Sequence, residues 1–186
     1  MTGWTHFFVG TAAGVMAAAV TDHPGWPKEV VIGVAAAAAT VPDLDAEKSL
    51  IYQFVLPKVD SKMRRFVIGA AGLGSIYLTH YSYTFLLPGL FLLLTAIFPH
   101  RTFTHSLLAL GMITWTVYLL DPELAPAAFA GYASHLIADS MTPHGVPWLW
   151  PYQRCFRIAR VPTGSGMDHV IGLTALFGSF FVWLIL

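Results

Sequence analysis

His135-Leu-Ile-Ala-Asp139 places an imidazole and a carboxylate four residues apart in an apolar stretch. On a helix that spacing brings the two side chains to one face, where they can share an ion or where the acid can orient the ring. Asp43 and Asp45 follow Pro42, a residue that ends helices, so both carboxylates sit on non-helical backbone within reach of one or two cations. His100, Arg101, Thr104 and His105 open another apolar stretch, His6 opens the first, and Asp168 and His169 open the last. His144 lies just beyond Asp139. Each piece alone has an ordinary structural reading: a hydrogen-bonded pair at a helix end for His135 and Asp139, a turn or cap for Asp43-Leu44-Asp45, an interfacial ring for His6. Together they read as a metal site, because ionisable residues inside or beside membrane segments are costly and usually functional. A set of nitrogen and carboxylate donors with no thiolate suits Zn²⁺, Mn²⁺ or Fe²⁺ better than Ca²⁺ or Mg²⁺.

The elements that must position these groups are apolar. Of 186 residues 56% are hydrophobic and 11% charged, with a mean hydropathy of +0.64. A soluble domain carries about 25% charged residues, so this chain lacks the polar surface that water demands. Aromatic residues make up 14%, in keeping with Trp and Tyr at membrane interfaces. The net charge is zero, which leaves no basic field for nucleic acid, and the single cysteine, Cys155, excludes disulfides and multi-Cys zinc sites. Arg154 and Arg157 flank it, and it reads as an incidental interfacial residue. The N-terminus has no basic region of the kind that precedes a cleaved signal, so the first apolar stretch is expected in the mature protein.

Seven apolar stretches, 7–20, 30–41, 66–79, 83–98, 103–120, 124–138 and 170–186, are separated by polar or Pro/Gly segments. They predict an all-α fold: one domain over 1–186, a polytopic transmembrane bundle of about seven short helices. The first two stretches are short enough to form a re-entrant hairpin, since a full span needs about 20 residues. Gly10, Gly14 and Ala18 recur at four-residue spacing and let helices approach closely. Lys48, Lys58, Lys62, Arg64, Arg65, Arg101, Arg154, Arg157 and Arg160 fall in the loops on one side, against Lys28 on the other. This bias predicts a cytoplasmic N-terminus and places the His/Asp cluster on the cytoplasmic face. His23 and His80 lie on the opposite face and read as loop residues.

The wording of these motifs resembles a bacterial family of inner-membrane proteins described as metal-dependent hydrolases, the YdjM-like family, also labelled LexA-binding. The resemblance rests on His6 before a small-residue helix, Pro42-Asp43-Leu44-Asp45, His100-Arg101-Thr102-Phe103-Thr104-His105-Ser106 and Gly131-Tyr132-Ala133-Ser134-His135-Leu136-Ile137-Ala138-Asp139. The last is followed by Thr142-Pro143-His144-Gly145-Val146-Pro147-Trp148-Leu149-Trp150-Pro151. It implies a bacterial inner-membrane hydrolase with His6, Asp43, Asp45, His105, His135 and Asp139 as metal-site residues. Asp168 stands where the pattern expects Glu; a shorter carboxylate there can still bind metal. The order of ligands also resembles the helical zinc phospholipase C and P1 nuclease group, a fold-level analogy.

The resulting expectation is a hydrolase cleaving a phosphoester of a lipid or lipid-linked substrate, with one to three divalent ions, zinc first and manganese or iron as alternatives. Asp43 or Asp45 bridges metals or acts as base. His100, Arg101, His144, Arg154 and Arg157 are the candidate substrate-binding groups. The aromatic and basic segment from Trp148 to Arg160 suits the headgroup layer, where membrane lipids or a lipid-linked phosphate present their charge. Two other readings stand beside this one: a metal-binding transporter, disfavoured because the cluster sits at helix ends and not at mid-bilayer, and a regulatory membrane protein that binds a soluble partner. No HExxH or GxSxG motif is present.

Overall fold

A computed structural model describes residues 1–46, 49–50 and 59–185. Among them the regular structure is helical: α1 (Gly3–Val20), α2 (Lys28–Ala38), α3 (Ser61–Tyr77), α4 (Leu86–Ile97), α5 (Leu107–Leu120), α6 (Ala125–Ser140) and α7 (Gly166–Ile185), with short 3₁₀ turns between several of them. Lys48 and Lys58, counted above in the charged loop, lie outside the described residues, as does Leu186.

The helix starts follow local chemistry. Thr2 Oγ1 accepts from the Thr5 amide at the head of α1, and Ser106 Oγ accepts from Ala109 N at the head of α5. Asp60 Oδ1 accepts from the amides of both Lys62 and Met63, so α3 begins five residues before its apolar stretch. That corrects the expected boundary at Phe66: a strong cap extends the helix into its polar leader. His105, inside the apolar stretch 103–120, precedes the helix itself. It closes the 3₁₀ turn Phe103–His105, and the Ser106 cap starts α5 after it.

α1 is the hub, packing against α2, α6 and α7, while α3 pairs with α4 and α5 links α4 to α6. The small-residue stripe of α1 does what its spacing predicts. A Cβ on Gly10 would stand 2.3 Å from the Ala39 Cβ, and one on Gly14 2.8 Å from the Ile32 Cα. The tightest approach is at Gly131 of α6, where a Cβ would lie 2.0 Å from the Ala35 carbonyl oxygen of α2. Ala17, Ala18, Val31, Ala35 and Ala127 fill that three-helix contact, and a second core gathers Phe91, Phe103, Leu110, Tyr132 and Leu136.

Two described helices, α1 and α7, are long and apolar enough to cross a membrane; α4 and α5 are apolar but shorter. Large apolar side chains are exposed on the outside of the bundle, among them Leu73, Trp115, Phe129, Phe177 and Phe181. An exposed apolar surface of this extent marks contact with lipid or another protein.

Candidate metal centre

Five elements deliver side chains to one end of the bundle: the first turns of α1, the turn Val41–Asp43 after α2, the turn Phe103–His105 before α5, the last turns of α6, and the first turn of α7. α2 ends at Ala38, and Pro42 sits in the 3₁₀ turn Val41–Asp43 that follows and carries Asp43. The close Gly131 contact lets α6 lie against α2, so that His135 Nδ1 reaches the Ala39 carbonyl at 2.8 Å. Tyr132 donates its hydroxyl to the Thr104 carbonyl at 2.6 Å and ties α6 to the turn holding His105.

Two triads result, His6–His135–Asp139 and Asp43–His100–His105, each with one ligand atom per residue within 4.8 Å of the others. They interlock. His105 Nε2 stands 3.2 Å from His135 Nε2 and 3.4 Å from Asp139 Oδ2. Asp43 Oδ1 faces three Nε2 atoms, those of His100, His105 and His135, at 3.7, 3.6 and 3.7 Å. The His6 ring stacks on His135 with centroids 3.6 Å apart, and its Nε2 is 3.1 Å from Asp139 Oδ1.

The arrangement fits a metal on two grounds. First, the rings are set to offer lone pairs. His135 Nδ1 faces a carbonyl and must carry the proton, leaving Nε2 free toward the cluster. Second, buried polar atoms lack hydrogen bonds: among the described residues neither ring nitrogen of His6 nor Asp139 Oδ2 forms one. Such groups are costly to bury unless something answers them. Donors about 2.0–2.2 Å from a tetrahedral zinc ion stand roughly 3.3–3.6 Å from one another; the contacts in the cluster run from 3.1 to 3.9 Å around that span.

Cations already answer part of the cluster's charge. Asp139 is fully buried, and two cations lean on it: Arg101 Nη2 is 3.0 Å from Oδ2, and the Met1 α-amino group contacts Oδ1. Arg101 has φ = 62°, a left-handed conformation unusual for a residue with a Cβ. Burial pushes the Asp43 carboxyl up, but the facing His135, His6 and His105 outweigh it and hold the group below its ordinary range. Burial pushes His100 down, while its hydrogen bond to Asp45 and the nearby carboxylates of Asp45 and Asp43 outweigh that and raise it.

The structure sorts the expected site residues. His6, Asp43, His105, His135 and Asp139 come together. His100 joins them, and Arg101 contacts Asp139. Asp45 belongs to neither triad: its Oδ1 accepts from His100 Nδ1 at 2.8 Å, so it positions a ring. Asp168 is likewise outside both triads. Its Oδ2 accepts from the amides of Thr2 and Gly164 at 3.0 and 2.7 Å, pinning the head of α1 to the loop before α7. Asp168 Oδ1 is buried without a hydrogen bond among the described residues. His144, Arg154 and Arg157 are exposed and line neither hollow that opens on the cluster; Arg157 donates to the Pro143 carbonyl. One such hollow, a cleft of about 340 Å³, is bounded by Thr2, Trp4, Asp43, His100, Arg101 and Thr163, among others. Sequence reasoning counted Lys62, Arg64 and Arg65 only as topological charge, yet α3 brings all three to a second hollow beside Asp45 and His100. The capping residue Asp60 just before them is the signal that would have put them on a helix.

A family model described as YdjM inner membrane protein matches residues 1–185. The chain belongs to that family. Its similarity to individual members is partial: it is 42% identical over 95 residues to the inner membrane protein YdjM of Escherichia coli (strain K12), covering 46% of each chain. The same figures hold for YdjM of Shigella flexneri, and the uncharacterized protein YvsG of Bacillus subtilis (strain 168) is 35% identical over 85 residues, 43% of this chain and 53% of YvsG. The chain thus spans about half the length of the relatives it matches. No solved structure matches it. Membership in the YdjM family makes this a membrane protein of the inner membrane, and the exposed apolar helices are the physical counterpart of that location.

Proposed function

We propose that this chain is a multi-pass, metal-dependent hydrolase that cleaves a phosphoester of a lipid or lipid-linked substrate at the cytoplasmic membrane interface. The observation that carries the reading is the pair of interlocked His/Asp triads, in which both ring nitrogens of the buried His6 and Oδ2 of Asp139 form no hydrogen bond among the described residues. His6, His135 and Asp139 would hold one divalent ion and Asp43 and His105, with His100 beside them, a second. Zinc suits the donors best, with manganese or iron as alternatives. Such ions would supply a water activated at neutral pH and positive charge for the phosphoryl oxygens.

The chain's own groups do the rest. Asp45 fixes the His100 ring by accepting from Nδ1, which leaves Nε2 facing Asp43 and the cleft, placed to take or return a proton. Arg101 lines the same cleft and is placed to meet an anionic substrate. The seat of the cluster at one end of the bundle, together with the lysines and arginines on that side, supports a cytoplasmic interface as its location. The likeness to the helical zinc phospholipase C group supports the phosphoester class as an analogy. The test is hydrolysis of phospholipids and prenyl phosphates by purified full-length protein with its metal content measured. Asp43→Asn and His135→Ala should each lose hydrolysis; full activity in both variants would refute the reading.

A further inference from the structure

On the flank of the cluster, between the first turn of α3 and the turn carrying Asp45, lies a hollow of about 620 Å³. Its polar wall is Ser61, Lys62, Arg64, Arg65, His100 and Asp45. Lys62 and Arg65, from a single helical turn, are its exposed cations. The opposing carboxylate, Asp45, already accepts from His100 Nδ1 at 2.8 Å, and the neighbouring Asp60 spends Oδ1 on the α3 amides. Lys62 and Arg65 are exposed and form no ion pair among the described residues, whereas Arg64 is buried at 4% exposure. This hollow and the 340 Å³ cleft share His100 and Ala46 in their walls, so they adjoin. A ligand can therefore present one group to Arg101 in the cleft and a second to Lys62 and Arg65 of α3 across the His100 ring.

We propose that the hollow is a second anion subsite of the metal centre, and that the substrate carries two neighbouring phosphoryl groups, a diphosphate. This rests on the hydrolase reading and names its substrate class. A monophosphate would need one site of compensating charge; a diphosphate needs two, and planar guanidinium and ammonium donors meet phosphoryl oxygens with charge-assisted hydrogen bonds. In the reaction water adds to the phosphorus that carries the ester, the P–O bond to the lipid alcohol breaks with the electron pair going to the departing oxygen, and that oxygen takes up the proton the attacking water gives up.

The test uses purified full-length protein in lipid nanodiscs, titrated with methylenediphosphonate, which hydrolysis cannot consume, and with methylphosphonate as the single-anion control. The expected result is a preference for the diphosphonate that the Lys62→Gln/Arg65→Gln double variant reduces about tenfold or more. The charge-preserving Lys62→Arg/Arg65→Lys variant should keep the preference, and Arg154→Gln on the exposed loop should not alter it. Discs of phosphatidylcholine and of phosphatidylglycerol should both support binding. An unchanged preference in the double Gln variant overturns the subsite. Binding confined to phosphatidylcholine discs also overturns it, because the bilayer's own phosphates would then be the occupants. Metal content measured on the same samples separates the two readings: loss of the metal reading shows as absent metal with α3-dependent binding intact, and loss of the subsite shows as bound metal with binding indifferent to α3.

Discussion

The two ends of the bundle both carry polar residues, and they treat them in opposite ways. At the end away from the cluster, Trp26 Nε1 donates to Asp121 Oδ2 at 2.6 Å and the Gly25 amide donates to Glu123 Oε2 at 2.9 Å, stitching the α1–α2 loop to the α5–α6 loop. His23 places its two ring nitrogens on the carbonyls of Trp26 and Ala18. Each group is answered by a neighbour, and much of the network is exposed. At the cluster end, His6, His105, His135 and Asp139 are buried, and several donor atoms face one another with no hydrogen bond between them. Polar groups answered locally hold loops. Buried donors aimed at a common point are the place where the proposed metal would bind, and that contrast separates the two ends.

Changes at the two ends should therefore differ in kind. The largest effect is expected from His135→Ala, which removes a ring facing both triads: metal affinity should fall at least about 100-fold, beyond the range seen for outer partners of metal ligands. Metal retention unchanged in this variant would erase the contrast. Next, Gly131→Ala forces a Cβ against the Ala35 carbonyl, 2.0 Å away. It should cost about 1–3 kcal/mol, read as a lower unfolding temperature in detergent, and should disturb the cluster by moving α6 off α2.

Asp45→Asn should be milder and more selective. It weakens the hold on His100 Nδ1, a member of the Asp43–His100–His105 triad, while leaving the other ligand atoms in place, so turnover should drop about tenfold with most of the metal retained. Loss of metal in that variant would move Asp45 from positioning to ligation. At the other end, Asp121→Asn should shift stability by no more than about 0.5 kcal/mol and leave hydrolysis unaltered.

The smallest effect is a pH dependence at His23. Its hydrogen bonds to the Trp26 and Ala18 carbonyls raise it above the ordinary 6.5. A raised folded-state value means that its contribution is fully present below pH 6.5 and fades as pH rises through the folded-state value. An NMR titration of the His23 ring placing its midpoint at or below 6.5 would contradict that sign.

Much of the centre is legible in the sequence because its members are ionisable residues among apolar ones. His135 and Asp139 announce themselves by helical spacing, and Asp43 by the proline before it. His6 and His105 are legible only through the common face and the family pattern, since the contacts that join them to α6 span 133 and 30 residues. What the spacing does not carry is division of labour. Asp43 and Asp45 are equivalent as text, yet the turn after α2 aims one at three imidazoles and the other at a single Nδ1. Asp168 reads as a ligand but holds the amides of Thr2 and Gly164, because the head of α1 meets the start of α7 there. Arg154 and Arg157 share a side with the cluster without sharing its cavities, and Lys62 and Arg65 enter only because Asp60 caps α3 early. Side of the membrane follows from loop charge; contact follows from packing, which the one-dimensional pattern does not encode.

The most direct test of the central claim is X-ray absorption and anomalous scattering at the zinc, iron and manganese edges on purified full-length protein. Bound ions are expected in a nitrogen- and oxygen-donor environment, located between His6, His105, His135, Asp43 and Asp139 and lost in His135→Ala. A hydrolytically active preparation free of metal, or ions found only at sites remote from these residues, would contradict it.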